Sequence, residues 1–175
     1  MTQRPLLLAL MFLGGSIAFA RPAQAQRSGF IIGGGLGPGL VSYSSDPDRE
    51  SEIGVAFDFH IGGVIDSVEL YYVVKGTYLN IYEADADILS AVQGLGFSYP
   101  LNSKFSINGG IGFGMWNRGT DTNADGVGFL AGGRYLLSES GSWGLGFDFT
   151  YGEPFGSDVD FNALGAQLTI NVLSH

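Results

Sequence analysis

Six ionisable residues lie in stretches that are otherwise apolar and rich in glycine. Their side chains are the candidates for a chemical role. Three are carboxylates, one is a histidine and two are cations, so they could form ion pairs or transfer protons. The six residues are Asp58, His60, Glu69, Lys75, Arg134 and Asp148. Asp58 and His60 stand two positions apart, and a carboxylate beside an imidazole is a combination used in acid–base catalysis.

Enzymatic activity would need further groups beside this Asp–His pair. Nucleophilic catalysis requires a nucleophile, a base and an orienting group that converge on one point. The sequence has no cysteine, and His60 is followed by Ile61 and Gly62 instead of forming a His-x-Ser pair. No phosphate-binding loop and no spaced GxGxxG motif occurs. The sequence therefore predicts a protein that is not an enzyme and carries no cofactor.

A weak calcium candidate lies farther along the chain. Asp121, Asn123 and Asp125, followed by Gly126, match the first half of a calcium loop, in which oxygens at alternate positions surround the cation. The twelfth position is Gly132, where such a loop needs a bidentate glutamate. The sequence favours a solvated acidic hairpin loop here, and no metal site is predicted.

The elements that carry these residues show a period of two. In Trp143 to Gly152, WGLGFDFTYG, bulky apolar residues alternate with small or polar ones, as in a strand with one apolar face. Eight segments of about ten residues share this pattern, and none has a charge on its bulky parity. They are Ser28 to Tyr43, Ile53 to Gly62, Val68 to Ile81, Ala91 to Tyr99, Phe105 to Met115, Val127 to Leu136, Trp143 to Gly152 and Ala163 to Leu173.

The connections between these segments alternate in length. Three connections are short: Gly63 to Ser67, Pro100 to Ser103 and Ser138 to Ser142. The first of them contains an Asp66-Ser67 turn. Four are longer and acidic: Ser44 to Glu52, Tyr82 to Ser90, Trp116 to Gly126 and Glu153 to Asn162. Short turns at one end and long loops at the other predict an all-β, eight-stranded antiparallel up-and-down barrel.

The N-terminus and the charge define where such a barrel would work. Arg4, the apolar run from Leu6 to Phe19 and the small residues Ala23-Gln24-Ala25 predict a signal peptide over 1–25, followed by a barrel domain over 26–175. The formal net charge is −9, and the basic residues are scattered, so a nucleic-acid partner is excluded.

The composition of the polar face of the strands distinguishes between two kinds of barrel. A soluble, lipocalin-like periplasmic barrel that binds a ligand would carry its bulky residues inside, whereas an outer-membrane barrel carries them outside. The polar parity is mostly glycine with some Ser, Asn, Thr and Gln, and it lacks the Lys and Glu of a water-exposed wall. This composition favours a transmembrane β-barrel, with the soluble barrel as the alternative.

Two consequences follow for individual side chains. The aromatic residues near the strand ends would form two membrane-interface belts: Tyr72, Tyr99, Tyr135 and Trp143 beside the short turns, and Tyr43, Tyr78 and Tyr151 beside the long loops. The six ionisable residues would face the lumen, because Lys or Arg costs about 2 to 4 kcal/mol at the bilayer midplane. We expect an ion-pair network that fills the lumen, with Asp58 opposite Lys75 and Arg134 diagonal to Asp148.

The chain resembles the small eight-stranded outer-membrane barrel family, of the OmpA transmembrane-domain and OmpX type. The stretches GVGFLAGGRYLLSESGSWGLGFDFTY and DFNALGAQLTINV carry the resemblance. The family implies an outer-membrane location, periplasmic termini, insertion by the barrel-assembly machinery and contact with outer-membrane lipid. Family members commonly end on an aromatic residue, whereas this sequence ends in Val172-Leu173-Ser174-His175.

The function expected from this resemblance is a structural or surface-interaction role for a non-enzymatic, monomeric integral barrel. The partner of the acidic loops stays open. A barrel enzyme that modifies lipid A is the less favoured alternative.

Overall fold

The computed structural model describes residues 29–45, 48–81, 86–118, 122–138, 143–155 and 163–174. They form eight strands: β1 (Gly29–Ser45), β2 (Asp48–Ile65), β3 (Val68–Ile81), β4 (Ala86–Pro100), β5 (Phe105–Arg118), β6 (Thr122–Leu136), β7 (Trp143–Pro154) and β8 (Ala163–Ser174). Each strand pairs antiparallel with its sequence neighbour, and β1 pairs with β8 to close the barrel. The predicted eight-stranded up-and-down barrel is confirmed. No helix of these residues is long and apolar enough to span a membrane.

The strands extend well beyond the predicted segments. β2 has 18 residues and even β7 has 12, whereas about 9 to 11 tilted residues cross a bilayer. Most of the extra residues fall in the four connections expected to be long loops, and the ladder continues there as far as Ser45 opposite Asp48. β2 also continues to Ile65, in a connection expected to be short. The predicted loop boundaries are therefore wrong. The alternation marks only strand residues with an apolar outer face, but backbone pairing continues beyond them.

Two short turns hold the opposite end of the barrel. Asp66 and Ser67 join β2 to β3 with φ angles of 50° and 76°, so both have the left-handed conformation of a tight type I′ hairpin. Between β4 and β5, the Asn102 side-chain oxygen accepts hydrogen bonds from the backbone N–H groups of Lys104 and Phe105, at 2.9 and 2.8 Å. Both turns set the register of the strands that they join.

The bulky parity faces outward. Large apolar side chains such as Leu36, Ile53 and Leu95 are exposed on the outer wall, and burial alternates residue by residue along β8. The small and polar parity lines the interior. This arrangement is the one that a transmembrane barrel needs, and it is the reverse of a soluble ligand-binding barrel.

The lumen also contains apolar packing that the sequence pattern did not predict. One cluster runs from the short-turn end to the middle and consists of Ile31, Val64, Tyr71, Val73, Val92 and Leu130. A second lies toward the other end and consists of Val41, Leu79, Ile88, Trp116 and Ala163. Trp116 was expected in a long loop, but it lies in β5 and is only 8% exposed. Since β5 continues to Arg118, the position of Trp116 falls on the inner face of the strand.

Candidate functional site

The centre of the lumen holds one lysine between two aspartates. Asp58 on β2 and Lys75 on β3 are direct cross-strand partners, and Lys75 Nζ lies 3.4 Å from Asp58 Oδ2. Lys75 also donates a hydrogen bond to Asp148 Oδ2 on β7. All three side chains are buried. The lysine therefore bridges the barrel interior between walls that are distant in sequence.

Two further side chains extend this layer. His60 Nδ1 lies 2.9 Å from Asp58 Oδ1, and the imidazole packs 5.2 Å from the Tyr71 ring, centroid to centroid. Asn108 Nδ2 donates to Asp148 Oδ1 at 2.9 Å. We call Asp58, His60, Lys75, Asn108 and Asp148 the central layer. It connects strands β2, β3, β5 and β7, so a change at one member disturbs several walls.

A second ion pair lies nearer the short turns. Arg134 Nη2 on β6 donates to both Glu69 carboxylate oxygens on β3, at 2.9 and 2.7 Å. Asp148 does lie diagonal to Arg134, because it is paired with Gly132, but the two do not form the ion pair that this placement suggested. Lys75 and Asn108 already bind Asp148, and the long arginine side chain reaches a carboxylate on the opposite wall. Sequence periodicity predicts which residues are neighbours on adjacent strands. It does not predict which side chains of opposite strands are in contact across the lumen.

The Asp–His pair is poorly placed for catalysis. The imidazole packs over Gly33, where even an added methyl group would collide with His60 Nε2 and the Val172 carbonyl. Since His60 is buried in the interior, no lipid substrate on the outer wall can reach it. Across the described ranges, no three His, Cys, Asp or Glu side chains are grouped to hold a metal ion.

The calcium candidate at Asp121, Asn123 and Asp125 lies only partly within the described residues. Asp121 and the side chain of Asn123 lie outside the described residues. From Thr122 onward the backbone belongs to β6, where Asn123 pairs with Asn117 and Asp125 with Met115. A paired strand does not wrap around a cation as a calcium loop does.

Most of the predicted interface aromatics lie on the outer wall. Tyr72, Tyr78, Tyr135 and Trp143 are exposed, and Tyr99 and Tyr151 are partly exposed. The side chain of Tyr43 lies outside the described residues. The Tyr72 hydroxyl donates to Gln93 Oε1 at 3.0 Å, which satisfies a polar group on the outer wall. Their placement at the membrane interface stays a prediction.

The network predicted from the sequence contained only ionisable residues and left out several polar residues of the interior. Asn108 belongs to the central layer, and Tyr71 donates its hydroxyl to the Phe97 carbonyl at 3.0 Å. On β8 the inward residues include Gln167, which donates to Thr77 at 3.3 Å. The signal that could have found them was parity, because Tyr71 shares the face of Lys75 and Asn108 is on the small, polar parity of its segment.

Comparison with known proteins gives the fold a context. No family model matches the sequence, and no curated protein sequence does. Among solved structures, Ail, the attachment invasion locus protein of Yersinia pestis, matches with a TM-score of 0.65 at 12% identity, over 85% of this chain and 100% of Ail. Neisserial surface protein A gives a TM-score of 0.56 at 14% identity, over 84% of this chain and 99% of its own. The chain has the fold of the small eight-stranded outer-membrane barrels.

A third barrel extends this agreement. The outer membrane protein OprG from Pseudomonas aeruginosa matches with a TM-score of 0.50 at 14% identity, over 89% of this chain and 100% of OprG. The resemblance drawn from the sequence is thereby confirmed at the level of the fold. The apolar outer wall of this barrel agrees with the predicted location.

Proposed function

We propose that the protein is a non-enzymatic integral barrel of the outer membrane whose lumen is closed by its own side chains, and that it supports envelope integrity or presents its rim to partners. The observation that carries the proposal is the buried central layer, which shares the lumen with two apolar clusters. An eight-stranded barrel is only wide enough for side chains to fill its interior. A buried Lys–Asp bridge inside that space leaves little room for a continuous water path.

The rim at the long-connection end limits the class of surface partner. Its segments contain twelve acidic residues and the two basic residues Arg49 and Arg118. The acidic residues are Asp46, Asp48, Glu50, Glu52, Glu83, Asp85, Asp87, Asp121, Asp125, Glu153, Asp158 and Asp160. Ail has been solved in complex with the heparin analogue sucrose octasulfate. Because this rim and a sulfated polysaccharide are both negatively charged, they would repel each other, so we expect basic or neutral partners.

Conductance measurements test the closed lumen. In planar bilayers we expect the folded wild-type protein to give no sustained channel, because the central layer blocks the interior. The triple variant Asp58→Ala, Lys75→Ala, Asp148→Ala removes the three charged members of the Lys–Asp bridge together, leaves no unpaired charge among these three positions, and should conduct. A steady wild-type conductance equal to that of the triple variant would contradict the proposal.

The non-enzymatic part has its own test. Mass spectrometry of lipid A from cells that overexpress the protein should show the same species as cells that carry an empty vector. A new lipid A mass that disappears in a His60→Ala variant would establish a barrel enzyme instead.

A further inference from the structure

The short-turn end of the barrel contains a recess that the central layer does not use. It lies between the β2–β3 and β4–β5 turns. We call it the mouth pocket; its lining includes Glu69, Ser98, Asn102, Ser106 and Arg134.

Two buried polar atoms of the pocket lining have no hydrogen-bond partner. They are Ser106 Oγ and Arg134 Nε, in residues that are 8% and 7% exposed. Ser106 and Arg134 are direct cross-strand partners on β5 and β6, and both line the pocket. A buried polar group without a partner costs free energy, which a ligand that bonds to both atoms would recover. The pair therefore points to a ligand.

The charge of the pocket selects the class of ligand. Both Glu69 oxygens already bind Arg134 Nη2, so the guanidinium charge is matched within the barrel. The Glu69 carboxylate would repel an anionic ligand, and the Arg134 guanidinium would repel a cationic one. The groups left over include the Arg134 Nε–H donor, the Ser106 hydroxyl and the remaining lone pairs of Glu69.

Adjacent hydroxyl groups match this set, because each hydroxyl both donates and accepts. Val64, Pro100 and Leu136 line the same recess and offer apolar contacts. We propose that the mouth pocket binds a neutral polyhydroxylated molecule of the saccharide class. Ser106 and Arg134 Nε contact its hydroxyls, and Glu69 accepts from one of them.

Nuclear magnetic resonance can test this directly. The isotope-labelled folded protein is prepared in a detergent without a sugar headgroup and titrated separately with glucose, N-acetylglucosamine, the disaccharide of N-acetylglucosamine, acetate and phosphate. The Arg134 Nε–H signal and the backbone signals of 98–106 should shift saturably with a sugar and not with either anion. Tighter binding of the disaccharide of N-acetylglucosamine would identify a glycan chain as the source, and equal affinity would identify a free sugar. Shifts with acetate or phosphate alone would overturn the proposal.

Matched variants localise the site. Ser106→Ala removes one contact and should weaken sugar binding about tenfold, as expected for one lost hydrogen bond. Arg134→Lys keeps a cation for Glu69 but removes Nε, and should have a similar effect. Thr169→Val removes a buried lumen hydroxyl outside the pocket and should bind like wild type. Folding of each variant is checked by its gel mobility before and after boiling. A folded Ser106→Ala protein that binds with wild-type affinity would rule out the site.

Discussion

At the residue scale, Lys75 is the cation on which the central layer depends. Its ammonium group is shared by Asp58 and Asp148, and all three side chains are shielded from water. The desolvation of the two carboxylates is offset only while the lysine is present. The layer is therefore sensitive to the loss of one charge and much less sensitive to the loss of all three.

We predict that Lys75→Met destabilises the folded barrel by about 3 to 5 kcal/mol, because two buried carboxylates lose their counter-ion. Urea unfolding in lipid vesicles, followed by tryptophan fluorescence, measures the change. Lys104→Met is the matched control, since Lys104 lies exposed in the β4–β5 turn and should change stability by less than about 0.5 kcal/mol. Equal unfolding midpoints for the two variants would show that the central layer does not stabilise the barrel.

A second residue-scale prediction concerns the β2–β3 turn. Ser67 has a φ of 76°, in the left-handed region where a side chain costs roughly 1 to 2 kcal/mol. Ser67→Gly should therefore raise stability by about 1 kcal/mol, seen as a higher urea midpoint. Ser103, in another short turn, does not have a positive φ, so Ser103→Gly should give no gain. A gain of the same size at both positions would show that the left-handed conformation of Ser67 is not its cause.

At the element scale, glycine on the inner face allows β6 and β7 to lie close together. An added Cβ at Gly132 would collide with the Phe147 carbonyl and with the Asp148 carboxylate and Cα. The outward Gly63 meets only the Gly29 carbonyl, at 3.3 Å. The two glycines belong to the same barrel but differ in how much space surrounds them.

Gly132→Ala should thus destabilise the barrel by about 1 to 3 kcal/mol through overpacking, and it should displace the Asp148 carboxylate from Lys75. Gly63→Ala should be near neutral, because a small shift accommodates the methyl group. Urea midpoints compare the two variants. Tolerance of alanine at Gly132 with wild-type stability would show that the strand contact can relax.

The strands also show how far the sequence alone predicts this molecule. Alternation and the Asp66-Ser67 turn place Asp58 opposite Lys75, because a tight hairpin sets the register of both strands. The sequence could not predict the part of β2 before Ile53 or the part of β5 after Met115. Backbone pairing continues there without a regular alternation of apolar and polar residues. The partner of Arg134 could not be predicted either, because the Glu69–Arg134 contact depends on barrel closure and side-chain reach.

At the scale of the whole molecule, the outer wall is the property that separates this barrel from a water-soluble one. Exposed aliphatic and aromatic side chains occur on the outer faces of all eight strands. An exposed apolar surface of this extent is stable only against lipid or detergent. The interior ion pairs and the outer wall are thus two results of the same alternation.

The final prediction tests that sidedness. Leu95, on the outer face of β4, is 72% exposed, and Leu95→Arg should destabilise the protein in vesicles by about 2 to 4 kcal/mol, because the charge would lie within the hydrocarbon. Leu101→Arg, in the β4–β5 turn, should cost about 0 to 1 kcal/mol, because the charge would reach water. Urea unfolding in vesicles gives both values. Leu95→Arg could prove neutral while Lys75→Met remains destabilising. The interior would then be packed as described, but the outer face of β4 would lie outside the bilayer, because an exposed arginine costs little only where water can solvate it.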